Sequence, residues 1–214
     1  FSNAKFDGIL ENDKLTVTAK GVFEKSEAGK WNVAISDLTL GGDSASNYVP
    51  AAEGSQRKTT ATITAKQITV SITPNGGIYG ETITPATVKA NDVVGEDTPT
   101  ITLTYTGTAN DGTEYTGTTP PTKAGTYTVT ATTTDTNYTL DANTAIAEFT
   151  VTKRPATVTP DNKSKVYEEK DPDLTYAVSG VLDGETLKGI TLTRAEGENA
   201  GEYAITATAD AGAN

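Results

Sequence analysis

Apolar residues and threonine alternate along this chain with a period of two, and that alternation limits the fold more than any other feature. Tyr127, Val129 and Ala131 interleave with Thr126, Thr128, Thr130 and Thr132, and Ile101, Leu103 and Tyr105 interleave with Thr102, Thr104 and Thr106. Tyr203, Ile205 and Ala207 repeat the pattern against Ala204, Thr206 and Thr208. Shorter stretches carry it at Leu15 and Val17, at Val33 and Ile35, at Ile68, Val70 and Ile72, and at Phe149 and Val151. Successive side chains of a strand point to opposite faces, so such a segment has one apolar face and one threonine face. Threonine is β-branched and supports strands while remaining wettable, which suits sheets packed on one side and solvated on the other. Thr accounts for 42 of the 214 residues.

Turn signals separate the strands: Asn75-Gly76-Gly77, Asn110-Asp111-Gly112, Pro120-Pro121 and Asp183-Gly184. The best helical stretch, 142–147, is too short to count, and Val166–Leu174, with Asp171-Pro172-Asp173 inside it, reads as a loop or a single turn. Many short strands between turns imply an all-β chain of small sandwiches. A small β-grasp-type sheet fits the strand pattern as well.

A repeat organises these strands. Ala28-Gly29-Lys30-Trp31, Ala124-Gly125-Thr126-Tyr127 and Ala200-Gly201-Glu202-Tyr203 share the form Ala-Gly-x-aromatic, each with a β-branched residue two positions on: Val33, Val129 and Ile205. The spacing predicts a tight turn at the glycine feeding a strand whose aromatic faces inward. Asn47-Tyr48 follows the first copy and Asn137-Tyr138 the second, with Asn214 in the matching place after the third. Joints recur at Ile63-Thr64-Ala65-Lys66 and Val151-Thr152-Lys153-Arg154, and about 13 residues after each joint lysine comes Tyr79 or Tyr167. This register predicts three tandem modules, 1–65, 66–152 and 153–214. The first is expected to lack its opening strand and the third its closing hairpin, with one- or two-residue joints that favour an elongated, stiff array. A chain that opens on Phe1 and has no Met is expected to be part of a longer protein. An incomplete last module is expected to expose a strand edge that invites pairing.

Composition narrows the chemistry. There is no His, Cys or Met. A Ser-His-Asp triad, a thiol nucleophile, a disulfide and thiolate or imidazole metal ligation are thereby excluded. A net charge of −11 makes nucleic acid and anionic membrane surfaces poor partners. No run of about 18 apolar residues offers a membrane-inserting helix, and no signal peptide opens the chain.

Several groups invite a site reading. Trp31, the single Trp, would serve as a sugar-stacking platform, but it occupies the repeat position of Tyr127 and Tyr203, which favours core or turn packing. Tyr79 and Tyr167 are likewise repeat landmarks and read as structural. Glu168, Glu169, Asp171 and Asp173 could offer oxygens to Ca²⁺, yet they lack EF-hand spacing and read as a solvated loop; Asp135, Asn137 and Asp141 form a weaker set. Thin Thr-rich sheets suggest no cleft for paired glycosidase carboxylates. Nothing singles out a lysine for a Lys–Asn isopeptide cross-link, and the sequons at Asn137 and Asn162 matter only in a eukaryotic secretory route. No catalytic, cofactor-binding or metal-binding residue is therefore assigned.

The residues also resemble known bacterial surface repeats. Lys163-Ser164-Lys165-Val166-Tyr167 through Asp171-Pro172-Asp173-Leu174-Thr175-Tyr176, and Gly189-Ile190 through Arg194-Ala195-Glu196-Gly197-Glu198-Asn199-Ala200-Gly201-Glu202-Tyr203, are similar to the MBG-type repeat. Leu15-Thr16-Val17, Ala28-Gly29-Lys30, Asp37-Leu38 and Gly41-Gly42-Asp43-Ser44-Ala45-Ser46-Asn47-Tyr48 resemble the YDG-type repeat. Leu103-Thr104-Tyr105 and Lys123-Ala124-Gly125-Thr126-Tyr127-Thr128-Val129 look like a bacterial Ig-like repeat. In one departure, Glu168-Glu169 stands where the family usually has Gly after Tyr. The resemblance implies Ig-like β-sandwich modules in a large secreted or wall-anchored bacterial protein. There they would act as a non-catalytic stalk or adhesive segment, facing neighbouring repeats and a host or matrix glycan or protein.

Overall fold

A computed structural model describes residues 4–209. Strand makes up 44% of the described residues and helix 1%, the latter a single 3-10 turn at Ala45–Asn47. With no longer helix among the described residues, nothing lies across a sheet in the β-grasp manner. Asn214, the third asparagine landmark, lies outside the described residues. The chain divides into two compact units. One comprises the described residues up to Ile68 together with Thr134–Thr139; the other comprises Thr69–Thr133 and the described residues from Leu140 onward.

The first unit is built on one antiparallel sheet of β1 (Thr16–Phe23), β2 (Gly29–Gly41) and β3 (Lys58–Ile63), with β2 in the centre. Its register sets Trp31 opposite Ala61 and Val33 opposite Phe23, and slips between Thr18 and Lys20. Few side chains are fully buried here: Val33, Ile68 and Tyr138. Polar ties supplement this thin core. The Asp13 carboxylate accepts hydrogen bonds from the Ser44 hydroxyl at 2.8 Å and from the Tyr48 hydroxyl, whose oxygen takes the Leu10 N–H at 3.0 Å. The Tyr48 bond, with Ser44 adding to it, holds the Asp13 carboxyl below its ordinary range, and the same bond pushes the phenol up. Asn137 anchors its segment in this unit: its side-chain oxygen accepts from Ala28 N–H and its carbonyl from Lys66 N–H, both at 2.8 Å.

Eight strands then form a two-layer sandwich: β4 (Lys66–Thr73), β5 (Gly77–Ile78), β6 (Thr87–Asn91), β7 (Ile101–Ala109), β8 (Glu114–Gly117), β9 (Gly125–Thr133), β10 (Tyr138–Leu140) and β11 (Ile146–Thr152). One sheet has the order β10-β4-β6 and the other β5-β11-β9-β7-β8. Every pairing of the larger sheet is antiparallel except the short β5–β11 contact. The alternation read from the sequence is realised on β9, where Tyr127, Val129 and Ala131 are buried while the threonines between them are half-buried or exposed. Inward residues of both layers meet in two clusters. One gathers Tyr105, Tyr127, Val129, Phe149 and Val151 with Ile72 of the opposite sheet, and the other gathers Val70, Ala131 and Ala145. Tyr105 and Phe149 meet edge to face at 6.0 Å, a geometry worth about 0.5–1.5 kcal/mol beyond area burial. The stretch 142–147 holds a turn and then the start of β11, not a helix.

Beyond the sandwich the chain forms two antiparallel pairs, β12 (Thr157–Pro160) with β13 (Tyr176–Ser179) and β14 (Thr191–Arg194) with β15 (Ile205–Thr208). Val151 is the last fully buried residue among those described. These hairpins therefore cannot rest on a hydrophobic core of their own, and polar and docking contacts must carry more of the load.

Candidate functional site

The Ala-Gly-x-aromatic repeat is one device built three times. In each copy the polar tip of the aromatic donates to the backbone carbonyl four residues earlier. Trp31 Nε1–H reaches the Glu27 carbonyl at 2.7 Å, the Tyr127 hydroxyl reaches Lys123 at 2.8 Å, and the Tyr203 hydroxyl reaches Asn199 at 2.8 Å. In the first two copies the glycine two residues before the aromatic lies against it, an added Cβ falling 3.2 Å from the Trp31 ring and 3.0 Å from the Tyr127 hydroxyl, whereas in the third it is Gly197 that lies against the Tyr203 ring. A carbonyl at a strand entrance has no ladder partner, and the ring tip supplies one. Burial and nearby negative charge from Asp111 push the Tyr127 phenol up, which keeps it a donor.

Cations attend each copy. Lys25 Nζ sits 4.6 Å from the Trp31 ring centroid and the Arg194 guanidinium 5.1 Å from that of Tyr203. In the middle copy, Lys123 pairs with Asp111 at 2.7 Å, and this bond, with Thr113, holds the Asp111 carboxyl well below the usual range. With its N–H bonded and Lys25 over the ring, Trp31 packs its own turn, as its repeat position suggests. An open depression beside that turn is lined by Phe23, Glu24, Lys25, Ser26, Glu27 and Ile63.

In the C-terminal hairpins, four charges close into a ring. Lys165 contacts Asp171 at 2.8 Å and Glu198 at 2.6 Å, and Arg194 contacts the same two carboxylates at 3.0 Å each. Arg194 also donates to the carbonyls of Ala195 and Gly197. A side chain at Gly197 would start 2.1 Å from the Tyr203 ring, and the backbone there sits at φ +142, so only glycine fits. This clasp joins the 165–171 loop to the β14–β15 turn. Hydrogen bonds from Lys165 hold both carboxylates below their ordinary range, with Arg194 adding to the effect.

Of the residues considered for Ca²⁺, Asp171 thus spends its oxygens on Lys165 and Arg194. Glu168 and Glu169 lie on an exposed turn, and Asp173 is exposed. Asp135 and Asp141 each accept a backbone N–H two residues on, from Asn137 and Asn143, both at 2.9 Å. These are local turn caps. Among the described residues no three acidic groups converge as metal ligands do.

The two Tyr landmarks differ. Around Tyr79, the hydroxyl donates to the Glu185 carboxylate, and Leu182 lies against Gly80. Tyr167 is 59% exposed. Sequence reading passed over the Lys165–Asp171–Arg194–Glu198 ring and the Leu182 contact. Their members lie up to 33 and about 100 positions apart, and no local pattern marks them.

Residues 2–56 match the family described as the YDG domain, and residues 156–214 match the one described as the MBG domain (YGX type). Both are families of non-catalytic modules typical of surface proteins. No curated protein and no solved structure matches the chain. Among the described residues no helix is long and apolar enough to cross a membrane. The chain carries, in tandem, a YDG domain and an MBG domain of the YGX type, with the eight-stranded sandwich between them.

Proposed function

We propose that this chain is a non-catalytic spacer segment of a large bacterial cell-surface or secreted protein, an adhesin, acting outside the cell. In this reading three modules, 1–65, 66–152 and 153–214, stand in line and hold a binding head away from the surface. The observation that carries it is the aromatic lock, built with the same four-residue reach at Trp31, Tyr127 and Tyr203. A device repeated once per module makes the same bond in every turn, whereas a catalytic or binding centre gathers different groups in one place. Small-angle scattering of the purified chain tests the proposal. A maximum dimension well above that of a sphere of the same mass is expected, and a compact particle would sink it.

A second reading, that the modules themselves bind a host or matrix protein or glycan, has one observation in its favour. All four residues of β13 are exposed, with Tyr176 at 43% and Val178 at 39%, and its one partner among the described strands is β12. An extended segment could add to that edge. Screening matrix proteins and a glycan array, with Val178→Lys as control, separates the readings. A hit abolished by the lysine favours the second.

A further inference from the structure

Two turns of this chain have the same build in different surroundings. In Ile78–Glu81, the Glu81 N–H donates to the Ile78 carbonyl at 3.0 Å, and the third residue, Gly80, has φ +86. In Val166–Glu169, the Glu169 N–H donates to the Val166 carbonyl at 3.1 Å, and the third residue, Glu168, has φ +69. Both are turns of the kind that requires a positive φ at the third position, and both carry tyrosine at the second.

Among the described residues, the first of these turns is covered. A third turn, Leu182-Asp183-Gly184-Glu185, is closed by the Glu185 N–H on the Leu182 carbonyl at 3.0 Å and sits on it. Its carboxylate takes the Tyr79 hydroxyl, and the Leu182 methyls cover Gly80 so closely that an added Cβ would lie 2.7 and 2.8 Å from them. At the second turn, Val166 is 65% and Tyr167 59% exposed, and Glu168 puts a side chain where Gly80 has none.

The geometry points to a docking rule between successive repeats. A Tyr-Gly turn seats the Leu-Asp-Gly-Glu turn of the repeat that follows it, and a larger residue at the glycine leaves the corresponding turn closed to such a partner. Gly80 is then the specificity-determining residue of the joint. It makes the sandwich and the C-terminal hairpins one body, whereas Glu168 disallows the same seating at the next position. The partner chemistry is a branched apolar side chain three residues before a carboxylate, presented on a glycine turn. This deepens the spacer reading and rests on it for its purpose, though not for its geometry.

The chain has no cysteine, so Thr116→Cys on β8 and Ser179→Cys on β13 give a unique pair of spin-label sites in the full chain. A single narrow interspin distance is expected in the native background. Gly80→Ala and Gly80→Glu should lose it to a broad distribution. Gly112→Ala should keep it, because Gly112 has nearly the same backbone, φ +83, with nothing within 4 Å of an added Cβ. Leu182→Ala removes the seated side chain without backbone strain and should also broaden the distribution, so it decides the matter should the Gly80 variants not fold. A native distribution already broad, or one unchanged by Leu182→Ala, overturns the rule. A host ligand found by array screening would instead overturn the spacer reading and leave the joint intact.

Discussion

At the scale of single residues, the hydroxyls of the aromatic locks do work that their rings alone do not. Tyr127 is 1% exposed and serves the Lys123 carbonyl from within the core. Tyr127→Phe keeps the ring and strands that carbonyl, so a loss of about 1 kcal/mol is expected from the denaturant midpoint of the sandwich. Tyr203→Phe, on a half-buried ring where water can replace the hydroxyl, is expected to lose only a few tenths. Glu168 holds a left-handed backbone at φ +69 that glycine adopts without strain. Glu168→Gly is therefore expected to stabilise the C-terminal hairpins by about 1 kcal/mol, read from slower amide exchange in 163–171.

At the scale of elements, the hairpins and the sandwich are stabilised by different physics. The β12–β13 and β14–β15 pairs lean on the Lys165–Asp171–Arg194–Glu198 ring, so their stability follows charge. Asp171 and Glu198 titrate below their ordinary values of 3.8 and 4.5 in the folded state. A depressed carboxyl contributes stability above its unfolded pKa and loses it as pH falls through the folded one. Lys165 is shifted upward, so its contribution is full below its ordinary value of 10.5 and fades above it. Amide exchange in β14 and β15, corrected for intrinsic rates, is expected to quicken below the ordinary carboxyl range and in high salt, while β7 and β9 stay protected. Equal acid sensitivity in both regions would refute this.

These elements differ in how far the sequence shows them. The buried face of β9 is legible because tyrosine, valine and alanine alternate with threonine, and each residue carries its own share of the pattern. The Ala-Gly-x-aromatic turn is legible because it recurs. The role of Asp171 is not. A carboxylate in a run of acids looks like a solvated or cation-binding group until Arg194, 23 positions later, is brought beside it. Likewise the helix-like stretch 142–147 is settled by pairing, since Ile146 enters the ladder opposite Thr130 on β9. Local pattern registers what a residue does for its own strand, while long-range pairing depends on the folded path.

At the scale of the whole molecule, two compact units with different cores should not melt together. The sandwich buries Tyr105, Tyr127, Val129 and Val151 almost completely, whereas the first unit buries few side chains fully and the hairpins none. Unfolding in urea is expected to depart from a single two-state transition, with the sandwich strands last to lose protection. Superimposable curves from different probes would contradict this.

The lone indole turns that expectation into an optical measurement. Trp31 belongs to the first unit, its N–H bound to one carbonyl and its ring beneath the Lys25 ammonium. Its emission is therefore a local gauge of a single turn near the start of the chain. Near-ultraviolet dichroism, by contrast, is weighted towards the packed tyrosines of the sandwich. A melt followed by indole emission, excited at the red edge where tyrosine does not absorb, would report the loosening of the turn around Trp31 and carry no direct signal from the tyrosines of the sandwich.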